Sequence, residues 1–187
     1  MKAAIRTGRL AKKPLPLGEV YRLLEPGPVV LLTTARGPRV NVMPMSWLTM
    51  MEFEPPLIGA VVSNRNYSFG MLQASRECVL NIPTVSLLKQ AVACGNCSGR
   101  TVDKFAAYGL TPVPASRVAA PLVAECPVNL ECRVVDTRFV PKYNLFVLEV
   151  VRAWTDGRKR RLETFHHMGM GRFLVGGRTV TVPSRMP

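Results

Sequence analysis

Val29-Val30-Leu31-Leu32-Thr33-Thr34, then Arg36-Gly37-Pro38, then Arg39-Val40-Asn41-Val42-Met43 is the stretch that decides the fold. An apolar, β-branched run enters a Gly-Pro turn and a second β-rich run comes back. The pair therefore reads as a hairpin. Pro44 follows at once within Asn41-Val42-Met43-Pro44-Met45-Ser46-Trp47. A proline cannot donate to a ladder, so within a sheet it marks an edge or a bulge. Unpaired backbone N–H and C=O groups at such an edge can read the rim of a heteroaromatic ring. The plainer alternative is a sheet edge facing solvent.

Working outward, more strand signals follow. Residues 46–51 and 57–63 are β-rich and are separated by Pro55-Pro56, and 77–82 is a buried-strand pattern ended by Pro83. Residues 128–136 and 145–154 form the longest clear strands. In the first, Leu130, Cys132 and Val134 share one face and Asn129, Glu131 and Arg133 the other. Near the end, 172–175, Gly176-Gly177 and 178–182 read as a hairpin. Helical spacing occurs at 66–75, where Phe69 and Leu72 share a face with Met71 beside them. A second helix is expected from an N-cap at Thr84 through Leu87, Leu88, Ala91 and Val92 to Gly95. A third spans 102–108 and ends at Gly109. A Pro-rich connector covers 111–127. Residues 1–27 are basic and weakly periodic and read as an arm with a short helix at 17–24. The sum is a mainly β chain, a β-barrel with helical insertions. Alternating βα units are missing, which argues against a doubly wound sheet.

The chain has 187 residues, nearly half of them hydrophobic, enough for one domain with a proper core. Its formal charge of +13 points to an anionic partner: a nucleotide, a nucleic acid or a membrane surface. The charge is spread out. Only Arg158-Lys159-Arg160-Arg161 is dense, and such a run reads first as a solvated turn. No apolar stretch reaches the length of a membrane span. The N-terminal residues lack a signal-peptide block, so a cytoplasmic protein is expected. An odd count of five cysteines argues against a disulfide framework.

Two loops carry the chemistry. Ser63-Asn64-Arg65-Asn66-Tyr67-Ser68 lies between an expected strand and an expected helix. Arg65 can clamp a phosphate, and Ser68 with the first helical N–H groups can complete the cradle. The plainer alternative is a polar turn capped by Asn66. Cys94-Gly95-Asn96-Cys97-Ser98-Gly99-Arg100-Thr101-Val102-Asp103-Lys104-Phe105 is the second loop, with hydroxyls, small residues and two cations. Two anion-friendly loops in one small chain point to a phosphorylated cofactor. There is no G-x-G-x-x-G turn and no P-loop. Cys94 and Cys97 form a CxxC without a second ligand pair for zinc and without a thioredoxin-like setting. They read as bystander thiols, and no metal is expected. His166 and His167 are adjacent and would diverge in a strand. No Ser/His/Asp order indicates a nucleophilic triad.

Taken in order, several pieces resemble the flavin reductase-like family, in the FMN-binding split-barrel fold, with flavoredoxin-type members nearest. They include 29–34, 41–47, Phe53-Glu54-Pro55-Pro56-Leu57, 63–68, Val79-Leu80-Asn81-Ile82-Pro83, 98–105, Glu125-Cys126-Pro127, Leu130-Glu131-Cys132 and 142–151. The resemblance implies one split-barrel domain over 28–187. It implies FMN held non-covalently near a homodimer interface, with electrons moving between NADH or NADPH and flavin. Met45, Ser46 and Trp47 would border the isoalloxazine. Ser63, Arg65 and Ser68 would approach the phosphate, and Ser98, Gly99, Arg100 and Lys104 would close that side. Asn81 is a further contributor. His166 and His167 would reach flavin or substrate. A flavoredoxin-like electron carrier with a redox partner protein is the alternative. A nucleic-acid binder is the third reading, but the chain shows no such module.

Overall fold

The structure, a computed structural model, describes residues 13–20, 27–157 and 162–179. Lys13–Pro14 (β1) precedes the hairpin of Val30–Arg36 (β2) and Arg39–Met45 (β3), followed by Leu48–Glu52 (β4) and Leu57–Val61 (β5). Helix Tyr67–Ser75 (α1), strand Glu77–Ile82 (β6), helix Leu88–Gly95 (α2) and helix Lys104–Tyr108 (α3) come next. Pro112–Val113 (β7) and Leu122–Val123 (β8) lead to Val128–Asp136 (β9). After the short helix Val140–Tyr143 (α4) come Leu145–Thr155 (β10), Phe165–His167 (β11) and Phe173–Val175 (β12).

The strand order is β3-β2-β6-β9-β10-β5-β4, with β1 paired to β10. Its two outer strands, β3 and β4, are consecutive in the chain and are joined by Ser46 and Trp47 alone. An open sheet of this width would hold its edges about 29 Å apart. The link reaches roughly 11 Å at full extension. The sheet must therefore curl until β3 and β4 lie near one another. Among the described residues they do not pair, so the result is a split barrel. Pro44 sits in β3, which has a ladder partner on one side only, where a missing N–H costs least.

The barrel interior is filled by Leu32, Ile58, Leu80, Leu130, Phe146 and Leu148, all fully buried. Leu72 of α1 joins them, and Phe69 meets Phe146 edge-on at 5.5 Å. A second cluster outside the barrel includes Leu31, Val42, Ala91, Phe105 and Phe165. Strand β2 is thus buried on both faces from Val30 to Ala35, which accounts for its apolar start and for the burial of Thr33 and Thr34. Val20 is also fully buried in the inner cluster. The helix expected at 17–24 is a single 3-10 turn, Leu17–Glu19, and residues 21–24 lie outside the described residues. So does the dense basic run 158–161.

Three features go beyond or against the sequence reading. On the polar face of β9, Asn129 and Glu131 are fully buried while Arg133 is exposed. The Pro-rich connector folds over them. The Glu131 carboxylate accepts from the Ser116 amide and hydroxyl, the Arg117 amide and Trp154 Nε1. Second, the connector holds a ladder of its own, β7 with β8. Third, β12 pairs with β11 among the described residues; of the expected second arm 178–182, residues 178 and 179 are not strand and 180–182 lie outside the described residues. The turn that wins is Gly169-Met170-Gly171, all at positive φ. It is closed by Met168 N–H to the Arg172 carbonyl at 2.9 Å. Edge-on contact of Phe165 with Phe173 at 5.8 Å then fixes the register. No helix among the described residues is long and apolar enough to cross a membrane.

Candidate functional site

Two loops meet where α1 begins and α2 ends. Asn66 precedes α1 in extended conformation, but its side chain makes no capping bond, and the first turn holds no acidic residue. The plainer reading of this loop holds in part: it is a turn, closed by the Asn66 amide on the Ser63 carbonyl at 2.9 Å, but Asn66 does not cap the helix. The exposed amides and the helix dipole leave a positive end. Ser68 is fully buried there, and its Oγ accepts from Asn41 Nδ2 at 2.8 Å. Ser63 Oγ accepts from the Arg65 amide at 3.3 Å and shapes the turn.

Across from it, α3 starts later than expected because Asp103 is its cap, accepting from the amides of Phe105 and Ala106. That cap aims Lys104 inward. Lys104 is 5% exposed, and its Nζ donates to the Cys94 carbonyl at 2.6 Å, satisfying an end carbonyl of α2. Among the described residues no carboxylate pairs with Lys104 or Arg65. Burial lowers the Lys104 pKa, opposed by the Cys97 and Cys94 thiols. Burial pushes the Cys94 thiol up to about 11, with Lys104 pulling it back. Cys97 is half-buried and accepts from the Tyr108 hydroxyl at 3.1 Å.

These groups wall a cavity of about 350 Å³ that includes Arg65, Ser68, Ser98, Gly99 and Lys104, with no acidic lining residue. A second cavity of about 300 Å³ includes Met45, Ser46, Ala91, Phe165, His167 and Phe173. Both touch Pro44, Gly95 and Asn96, so they are two ends of one cleft: a cationic cradle and an apolar lip.

A family model described as "Flavin reductase like domain" matches residues 22–171. The chain belongs to the flavin reductase-like family. The Escherichia coli K12 protein YddH, of uncharacterised function, is 34% identical over 182 residues, covering 90% of this chain and 96% of YddH. At the level of fold, the FMN-binding domain of a flavin reductases-like enzyme from Shewanella baltica superposes with a TM-score of 0.86. It is 24% identical, and the match covers 92% of this chain and 97% of that one. The flavoredoxin of Desulfovibrio vulgaris gives 0.76 at 24% identity, covering 97% of both chains.

Placed on this flavin reductase-like barrel, the sequence candidates separate. Arg65, Ser68, Ser98, Gly99 and Lys104 share the cradle, and Met45, Ser46 and His167 the lip. His166, the other way along β11, lines neither end. Ser63 also lines neither, acting through the turn. Trp47 is 72% exposed and stands outside the cleft, its carbonyl accepting from the Val61 amide. Arg100 turns away, 5.7 Å over the Tyr67 ring, toward an adjoining cleft. Asn81 is buried in the sheet. Its Nδ2 donates to the Leu31 carbonyl, and its Oδ1 accepts from the Val123 amide and Asn129 Nδ2. Those bonds fasten β8 to the barrel, away from both ends of the cleft.

The sequence reading missed Asn41 and Asn96. Asn41 is 3% exposed, and a Cβ on Gly99 would collide with its side-chain amide. Only glycine allows the 98–100 loop to approach the strand so closely. The available signal was a lone amide inside Val40-Asn41-Val42-Met43, since a buried polar group needs a partner.

Proposed function

We propose that this protein binds FMN non-covalently in the cleft and moves electrons between a reduced nicotinamide, NADH or NADPH, and flavin. The observation that carries the reading is Lys104. It is a buried cation without a carboxylate, in the wall of a cavity that also holds Arg65 and the uncapped start of α1. A buried charge needs a counterion, and a phosphate monoester meets all three groups at once. The apolar lip beyond Pro44 suits a flat ring. The residues present therefore fit FMN: Arg65, Ser68, Ser98, Gly99 and Lys104 for the phosphate, Met45 and Ser46 for the ring edge.

When bound, FMN supplies the redox chemistry. The chain's own work is to neutralise the phosphate, hold the ring edge against β3 and keep water from the lip. His167, 5.3 Å from the Phe173 ring, stands where a substrate would enter. No side chain is required as acid or base.

An electron carrier of flavoredoxin type is the second reading. Trp47 at 72% and Met170 at 99% exposure favour it, because apolar residues beside the cleft suit a protein surface, either a redox partner or a second copy in a homodimer. A cytoplasmic location is consistent with either reading.

The test is the visible spectrum of purified, desalted protein, followed by titration with FMN and FAD and by NADH or NADPH oxidation with added flavin. Flavin bands, FMN binding tighter than FAD and steady turnover are expected. Bound FMN without turnover selects the carrier. No flavin binding ends both readings.

A further inference from the structure

The hairpin that decides the fold ends in an arrangement that costs stability. Arg36 and Arg39 are cross-strand partners on either side of Gly37-Pro38. Like charges directly opposite each other in a ladder destabilise it. Among the described residues neither has a carboxylate partner. Arg100 comes to the same place from the 98–101 turn, 5.7 Å over the Tyr67 ring. Together the three arginines line a cleft of about 490 Å³ without one acidic lining residue. Asn64 and Asn66 add amides, and Pro38, Phe69 and Met71 add apolar wall. This volume falls in the range of small-molecule sites. The cleft shares Asn66 and Tyr67 with the cradle but none of Ser68, Ser98, Gly99 or Lys104.

We propose that the cleft lined by Arg36, Arg39 and Arg100 is a second anion site, adjoining the flavin cradle across the Asn66–Tyr67 wall, that takes the phosphate groups of an adenine nucleotide. Guanidinium forks bind phosphate bidentately, and the apolar wall offers a face to a base. An anion between Arg36 and Arg39 turns their mutual repulsion into shared attraction. The proposal rests on the proposed function only for the ligand's source, the adenosine end of a reduced nicotinamide dinucleotide. The site itself stands on the three arginines.

The test uses the full chain and 2′,5′-ADP as probe, by calorimetric titration with and without saturating FMN. Arg39→Glu places an opposite charge across from Arg36. It should keep or raise the melting temperature, leave FMN affinity unchanged and weaken 2′,5′-ADP about ten- to a hundred-fold. Binding of 2′,5′-ADP alongside FMN in the wild type supports the site. Absence of 2′,5′-ADP binding at millimolar concentration, equal affinity in Arg39→Glu, or full competition with FMN overturns it. If FAD loses affinity in Arg39→Glu while 2′,5′-ADP does not bind the wild type, the cleft belongs to a dinucleotide flavin and the proposal fails. Binding of 2′,5′-ADP by protein that takes no FMN would sink the flavin reading and leave this one standing.

Discussion

The two ends of the cleft are built by opposite means. At the cradle, polar groups hold polar groups: Asn41 on Ser68, Lys104 on the Cys94 carbonyl, Asp103 on the amides of α3. At the lip, rings hold rings. Phe165 meets Phe173 edge-on and His167 meets it at a tilt, in a small two-stranded sheet tied to the barrel by the Val29 amide on the Phe165 carbonyl at 2.9 Å. Charge-assisted contacts depend steeply on distance and angle, so a phosphate end needs fixed donors. An apolar face depends on area and tolerates small shifts. On the proposed reading, the cradle takes one phosphate group, while the lip takes the flat ring and the substrate beside it. The two ends should therefore fail differently.

The largest effect is expected at the cradle. Lys104→Ala and Arg65→Ala should each weaken FMN, because a lost charge-assisted contact is worth about 1.5–3 kcal/mol, roughly ten- to a hundred-fold. Riboflavin, which lacks the phosphate, should respond much less. Only Lys104→Ala should also lower the melting temperature, since it strips the donor from the Cys94 carbonyl while Arg65 is exposed. Fluorescence titration and thermal melts separate the two. Unchanged FMN affinity in both variants removes them from the site.

A smaller and different effect is expected at the lip. Phe173→Ala removes the ring that contacts Phe165 and His167. Steady-state kinetics should show a several-fold rise in KM for the electron donor, with a smaller loss of FMN affinity than in Lys104→Ala, because truncating lip packing removes uniform binding. An FMN loss as large as that of Lys104→Ala would show that the ends are not independent.

The smallest effect is expected from the thiols. Cys94 is buried with its pKa pushed up to about 11, so little thiolate exists at neutral pH. A Cys94→Ser/Cys97→Ser variant should keep its FMN and most of its flavin-reduction rate, with a modest stability loss from the buried hydroxyl. Normal FMN binding with lost electron transfer would put the thiols in the pathway.

Much of this was legible in the chain. Strands 77–82 and 128–136 match β6 and β9 to the residue, since Pro83 and Pro127 mark boundaries by local sterics. That the two loops line one cavity agrees with their shared composition of hydroxyls, glycine and cations in short segments at helix ends. Arg100 and Lys104 show the limit. Both are cations of one loop, yet the Asp103 cap turns Lys104 inward while Arg100 goes over Tyr67. Asn81 and Asn41 show it again. Both are buried strand amides, but one fastens the connector and the other meets the 98–100 loop.

By itself the sequence determined the long barrel strands and their proline boundaries, and marked two loops whose residue types suit an anion. Those properties depend on backbone sterics, side-chain alternation and local charge, all set within a few residues. Only the tertiary structure decided that β3 and β4 close on each other and which of several polar side chains face the cleft. These outcomes depend on contacts between residues tens of positions apart. There, the burial of one face and the partner of one amide are chosen by the whole barrel rather than by the neighbouring sequence.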